Sequence, residues 1–341
     1  MNKNRNYNKI KDLAIVFAIP LAIYFVLVLL IGNRIFNWNS VKTILIITVI
    51  PTITAYGVAF GFISGIMDFS VGSRMVISGI FAAIGGYYLG FIGLILGAVI
   101  SSVILSYIVG GVFEKLKIPS IVVSLGMMMV FEVVGIEIVE YISHKMPALA
   151  PGMYVKMPSK FVFLGTAPWN FVILLLSAAL FYVLYYRTEF SVQARMVGSD
   201  ELIAKNIGIN PMRVKFITFI VGGIFLGIAS LVSACYSSAV GYKQNMESLS
   251  LVFKPMMAVV IGMFLQKHAK MHIGIFVGSL SLSIIFTGII ALGWPDSLQN
   301  VILGLFMLIV LAFPTIQQKL EDAKRRKTAK HSFEAIVKER A

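Results

Sequence analysis

Long apolar runs separated by short polar breaks organise this chain from Leu13 almost to Pro314. A bilayer core is crossed by roughly 20 apolar residues in helical form. Runs of that kind fall at 13–31, 41–63, 74–89, 91–109, 118–140, 169–186, 214–235, 251–265, 272–292 and 297–313. The pattern predicts an all-α fold, a polytopic transmembrane helix bundle of about ten spans. Two joints between runs are irregular. A Gly-rich turn near Gly90 separates two short runs, and the glycines at 57, 61, 65 and 72 mark a broken or re-entrant helix.

The basic residues follow the breaks. They gather at Lys3–Lys11, at Lys115 and Lys117, through 187–215, at Lys267 and Lys270, and again through 319–340, while the alternate segments hold few. Cytoplasmic loops carry the excess of Lys and Arg, so both termini are expected in the cytoplasm. That gives a cytoplasmic N-terminal segment 1–12, a transmembrane domain 13–313 and a basic cytoplasmic tail 314–341. Within the domain, the segment 141–168, with Pro147, Pro151, Pro158 and Pro168, falls outside, and 187–213 falls inside.

Composition agrees with a membrane solvent: 58% of the residues are hydrophobic and 13% charged, with a mean hydropathy of +0.90. Soluble domains carry about 25% charged residues. The net charge of +14 sits between and beyond apolar spans, which makes it a topology signal rather than a nucleic-acid surface. The first apolar run lacks a small-residue cleavage site and is expected to be retained. A lone Cys235 rules out a disulfide framework and a multi-cysteine metal site. No phosphate loop, H-E-x-x-H helix or nucleophile elbow occurs, so neither ATP hydrolysis, a metal centre, a cofactor nor an enzyme activity is expected of this chain. An enzyme acting on lipid-linked substrates would need a catalytic constellation near a loop, and none is visible.

Three segments carry candidate chemistry. In the inside loop, Ser199 reads as an N-cap, Asp200 and Glu201 suit the positive end of a helix dipole, and Gly208 suits the C-cap, so a short helix is expected over 199–208. Leu202, Ile203 and Ile207 give it an apolar stripe. Such a stripe either docks in a groove on a partner protein or lies on membrane lipid; the acidic cap disfavours anionic lipid.

The second segment, Gly65-Ile-Met-Asp68-Phe-Ser70-Val-Gly72-Ser73-Arg74, places an acid and hydroxyls in a break between apolar spans. There Asp68 either lines a pathway or caps the helix that follows. The third is the fifth span, with Glu132, Glu137 and Glu140. At 100° per residue, Glu137 and Glu140 lie about 60° apart and Glu132 about 140° from Glu137, so no single stripe holds them. Glu132 is the deepest, and an ion pair with Lys254 is expected to hold it.

The segment Asp68-Phe-Ser-Val-Gly-Ser73 resembles the D-L-S-V-G-S stretch of ribose-type permeases, the membrane subunits of bacterial ABC importers for monosaccharides and related solutes. Ile118-Pro-Ser-Ile-Val-Val-Ser124-Leu-Gly126 is similar to the family's P-x-F-I-V-T-L-G. The run from Val197-Gly198 through Ala204 to Gly208-Ile209 looks like its cytoplasmic coupling segment. The likeness covers most of 40–315.

The resemblance implies a multi-pass protein of the bacterial plasma (inner) membrane working by alternating access, with three kinds of partner: a cytoplasmic ATP-binding subunit, an extracellular or periplasmic substrate-binding protein and a second permease subunit. It implies coupling to the ATPase through Gly198, Asp200, Glu201, Ile203, Ala204, Ile207, Gly208 and Ile209. It places Asp68, Ser70 and Gly72 in the central pathway, to which Ser73, Ser124 and Glu132 are added as candidates. Where the family has a Gly-rich stretch after the eighth span, this chain has Ile261-Gly-Met-Phe-Leu-Gln-Lys-His-Ala-Lys270. That departure, with G-I-M-D in place of G-G-I-D, points to a heterodimer with a second permease and away from ribose itself. Nucleosides are the alternative cargo. An ion-coupled secondary transporter, with Asp68 and Glu132 as its coupling carboxylates, is the alternative mechanism.

Overall fold

The computed structural model describes residues 2–32, 36–295, 298–299, 301–305 and 308. The basic tail 314–341, Arg34 and much of the expected last span lie outside the described residues. Residues 1–294 form one compact unit and 295–341 a second. In the second, 301–305 are helical.

The first unit is built from helices α1 (Asn2–Ile31), α2 (Trp38–Ile63), α3 (Val71–Leu116), α4 (Ser120–Lys145), α5 (Trp169–Arg187), α6 (Glu189–Ser199), α7 (Glu201–Asn206), α8 (Pro211–Ser237), α9 (Ser250–Phe264) and α10 (Met271–Ala291). Two short strands, β1 (Tyr154–Lys156) and β2 (Ala239–Gly241), pair antiparallel with Val155 opposite Val240. They tie the segment after α4 to the segment after α8. Among the described residues, eight helices are long and apolar enough to cross a membrane. The all-α polytopic bundle is therefore as expected.

Several elements depart from the expected bounds. α1 continues back through the basic N-terminus to Asn2 instead of beginning near Leu13, because Lys, Arg and Asn beside an apolar run extend a helix without breaking it. α4 runs on to Lys145. α3 is 46 residues long, yet it holds the two short runs read from the sequence. Gly90 has φ 65° and ψ −142°, a conformation that favours glycine, and the chain turns back on itself there. The backbones of Gly85 and Gly93 touch, as do those of Phe81 and Gly97. Residues 81 and 97 would lie far apart along a straight rod, so α3 is a helical hairpin.

The second limb of α3 then runs antiparallel to α8. Ala98 and Val99 abut Gly227, Ser102 Oγ donates to Gly223 O at 2.7 Å, and Gly110 meets Phe216 and Phe219. α2 crosses the other side of α8 with Gly57 against Gly222. α9 and α10 form a second close pair through Gly262 with Gly274 and Ala258 with Gly278. Lipid chains offer no hydrophobic drive for helix association, so such small-residue seams supply the packing. An aromatic cluster of Tyr56, Phe60, Phe181, Tyr185 and Phe225 fills the space where α2, α5 and α8 meet.

Candidate functional site

The broken segment between α2 and α3 is well specified. α2 ends at Ile63, and Gly65 takes φ +76° so that Ile66 N can reach back to Gly61 O at 2.8 Å. This left-handed C-terminal turn satisfies carbonyls that would otherwise face apolar surroundings. Three extended residues follow, and Met67 N donates to Ser120 Oγ at 3.3 Å, which fastens the break to the start of α4.

At Asp68 the chain gathers its own charges. Asp68 Oδ1 accepts from Ser70 N at 2.9 Å and from Ser70 Oγ at 2.7 Å, bracing the residue from which α3 starts. Its Oδ2 accepts from Arg74, one turn into α3. Arg74 also donates to Ser106 Oγ at 2.6 Å, on the returning limb of the hairpin, and is 1% exposed. The Ser106 hydroxyl in turn donates its one proton to Ser102 O at 2.7 Å. Ser70 and Ser73 are fully enclosed, and Ser73 Oγ donates to Ser70 O. A cavity of about 20 Å³, room for one water, lies beside Asp68 and Arg74 between Gly57 and Gly61 of α2 and Thr218 and Gly222 of α8.

Glu132 lies midway along α4 and is buried. It does not pair with Lys254. Its Oε1 accepts from Ser248 N at 3.0 Å and Ser248 Oγ at 2.5 Å, and its Oε2 accepts from Met246 N at 2.9 Å. The reason is geometric: a helix start offers free N–H donors, and the turn entering α9 presents them to α4. Lys254, a turn further on, instead faces the Phe286 ring of α10 at 5.5 Å. Glu137 and Glu140 are exposed.

The carbonyl of Ser248 rests against Gly72 so closely that a Cβ there would overlap it. Gly72 thus brings the start of α3 onto the start of α9 at the point that Glu132 holds. Ser124 is buried on α4 and donates to Ile121 O at 3.1 Å.

The expected helix over 199–208 is in fact the second of two. Thr188 caps α6, which ends at Ser199, and Asp200 rather than Ser199 caps α7, accepting from Leu202 N at 2.8 Å and Ile203 N at 3.0 Å. Asp200 wins because its carboxylate reaches two free amides. Gly208, with φ +89°, closes α7: its N–H donates to Lys205 O, and Ile209 N donates to Ala204 O. Ala204 packs with Ala194, Val197 and Val214, with Phe190 and Ile209 alongside, so α6 and α7 dock as one body on the start of α8. An ion pair between Glu201 and Lys215 of α8 reinforces that seat.

Leu202, Ile203 and Ile207 face away and are 74%, 60% and 55% exposed. Gly198 lies backbone to backbone on Ile63 and Ser64, and a Cβ there would strike the Ile63 carbonyl. The α6–α7 body therefore bears directly on the break that leads to Asp68.

Arg74, Ser106, Met246, Ser248 and Lys215 are the partners that sequence reasoning missed. Arg74 carried a signal, being an arginine six residues beyond an acid across a helix break. The amides of 246 and 248 carry none, since a backbone donor looks alike in every sequence.

A model of the family described as branched-chain amino acid transport system / permease component matches residues 40–311. Over 306 residues the chain is 26% identical to the autoinducer 2 import system permease protein LsrC of Photorhabdus luminescens, covering 85% of this chain and 86% of that one. It is 28% identical over 145 residues to the galactofuranose transporter permease protein YtfT of Escherichia coli K12, 42% of each chain. It is 27% identical over 165 residues to the probable ABC transporter permease protein YphD of the same organism, 48% of each. With a bundle of membrane-crossing helices matched over most of its length, the chain is a multi-pass membrane protein and belongs to this family of transport permease components.

Proposed function

We infer that this chain is the membrane subunit of a binding-protein-dependent ABC importer, and that it passes a small sugar-like solute by ATP-driven alternating access. The observation that carries this reading is the α6–α7 body. It exposes the apolar stripe Leu202, Ile203 and Ile207 to a partner on one side, and through Gly198 it seats on the α2–α3 break on the other. A separate ATPase subunit closing on ATP presses this body, and the press reaches Ile63, Ser64 and then Asp68 and Arg74 without crossing a flexible loop. The pathway residues in this reading are Asp68, Ser70, Gly72, Ser73, Ser124 and Glu132. The printed name of one relative, a galactofuranose transporter, supports a sugar cargo over an amino acid, with nucleosides as the nearest alternative.

The ion-coupled alternative requires Asp68 and Glu132 to be available to a proton or a sodium ion. Both carboxylates already accept hydrogen bonds from the chain's own donors, which favours ATP drive. The test is uptake in proteoliposomes holding this chain with its ATPase and binding protein. Uptake is expected to need ATP and to survive collapse of the ion gradient; the reverse pattern overturns the reading. We propose further that a second, diverged permease completes the pore. A functional importer assembled from this chain as the sole permease would exclude that.

A further inference from the structure

Helix α10 carries Ser279, Ser283 and Thr287, each four residues after the last. At 100° per residue these positions drift by only about 40° per step, so the three hydroxyls share one face. All three oxygen atoms are buried and have no hydrogen-bond partner; Ser279 and Ser283 are 0% exposed as residues.

A helical Ser or Thr has an easy remedy for burial, which is to donate to the carbonyl four residues back. Thr43, Thr48, Thr52, Thr54, Ser101, Ser106 and Ser177 all do so, and so does Ser281 on α10 itself. Ser279, Ser283 and Thr287 do not. Their hydroxyls point away from their own backbone, and an unmade hydrogen bond in a buried place is unfavourable.

The seam with α9 does not account for the row, although α1 and α2 also pack on α10. The seam with α9 runs through Gly274 and Gly278, and Gly278 lies about 100° from Ser279 around the helix. Nor does the row serve the charged groups, since Asp68 and Glu132 are occupied elsewhere. Among the described residues, the one other buried hydroxyl without a partner is Ser78 on α3.

We propose that Ser279, Ser283 and Thr287 are a cargo-facing row, hidden in the state seen here and opened during transport, which binds a neutral polyhydroxylated solute through its hydroxyl groups. Hydroxyls both donate and accept, so a row of them at one-turn spacing matches a sugar ring or chain and discriminates weakly between epimers. The assignment of the row to cargo rests on the importer reading above.

Cys235 is the one cysteine of the chain and is buried, so a Cys235→Ser background permits single thiols to be placed at will. Ser279→Cys, Ser283→Cys and Thr287→Cys change little volume. They are to be assembled with the ATPase and binding protein in proteoliposomes and exposed to a charged, membrane-impermeant thiosulfonate reagent. Labelling is expected during ATP turnover and not at rest, and a mixture of pentoses and hexoses is expected to slow it.

Absence of labelling in every state overturns the proposal. So does protection by leucine in place of the sugars, or by neither. Labelling that appears with an imposed ion gradient and not with ATP would overturn the importer reading while upholding the row. Equal labelling of a control, Leu282→Cys, under the same conditions would also overturn it, since Leu282 is buried and lies about 100° from Ser283 and 140° from Thr287 around the helix.

Discussion

Asp68 and Arg74 place a full charge pair inside an apolar bundle, six residues apart and on two sides of a helix start. A buried pair contributes little net stability, but removing one member leaves the other uncompensated, at about 3–5 kcal/mol. Arg74→Met is therefore expected to lower the unfolding midpoint of the detergent-solubilised chain sharply. Adding Asp68→Asn to it is expected to restore part of the loss. A double variant as unstable as the single one would show that Arg74 acts through packing alone.

Glu132 invites a related measurement. Gln has a single acceptor oxygen, so Glu132→Gln must release either the Met246 amide or the Ser248 amide, at about 1–3 kcal/mol for a buried donor left unsatisfied. Faster hydrogen exchange confined to 246–248 is the expected result. Legibility at this scale was uneven. The importance of Asp68 and Glu132 could be read from acids in apolar runs, yet their partners could not. One partner was a basic residue across a helix break, and others were backbone amides and a serine hydroxyl brought close by the turn entering α9.

At the scale of elements, α7 is six residues long and owes its existence to its two ends and to Ala204 beneath it. Pro fixes φ near −65° and lacks an N–H, whereas Gly208 has φ +89° and donates to Lys205 O. Gly208→Pro is thus expected to unravel the end of α7. Ile203→Glu, on an exposed position, is expected to leave the fold and melting temperature unchanged. Both should abolish uptake while the ATPase partner continues to hydrolyse ATP, which parallel assays of transport and phosphate release would detect. Wild-type uptake by Ile203→Glu would remove the exposed stripe from the coupling role.

The apolar runs located the crossing helices because lipid burial demands length and composition together. They said little of α6, whose 11 residues are only weakly apolar and whose burial comes from docking on α8. Asp200 against Ser199 shows the usual limit of capping signals: adjacent polar residues compete, and the winner is set by where the preceding helix ends.

At the scale of the molecule, close backbone seams hold the bundle: Gly85 to Gly93 within α3, Gly57 to Gly222 between α2 and α8, and Gly262 to Gly274 between α9 and α10. Gly93→Leu is expected to be more disruptive than any surface change in the same helix, because the Gly85 carbonyl already occupies the place of its side chain. Loss of a protease-resistant core, against retention in Ile92→Ala, would check this. Ile92 is 68% exposed one residue away.

The turn at Gly90 has a further bearing on the whole chain. Each passage through the bilayer exchanges the side on which everything downstream emerges. One positive φ angle at Gly90 turns a 46-residue helix back on itself and so reverses the direction in which the chain continues. A Cβ at Gly90 would meet nothing within 4 Å, so the requirement there is of torsion and not of space. The direction in which the second limb of α3 runs against α8 is decided by that single backbone rotation, well over a hundred residues of bundle hanging on its sign.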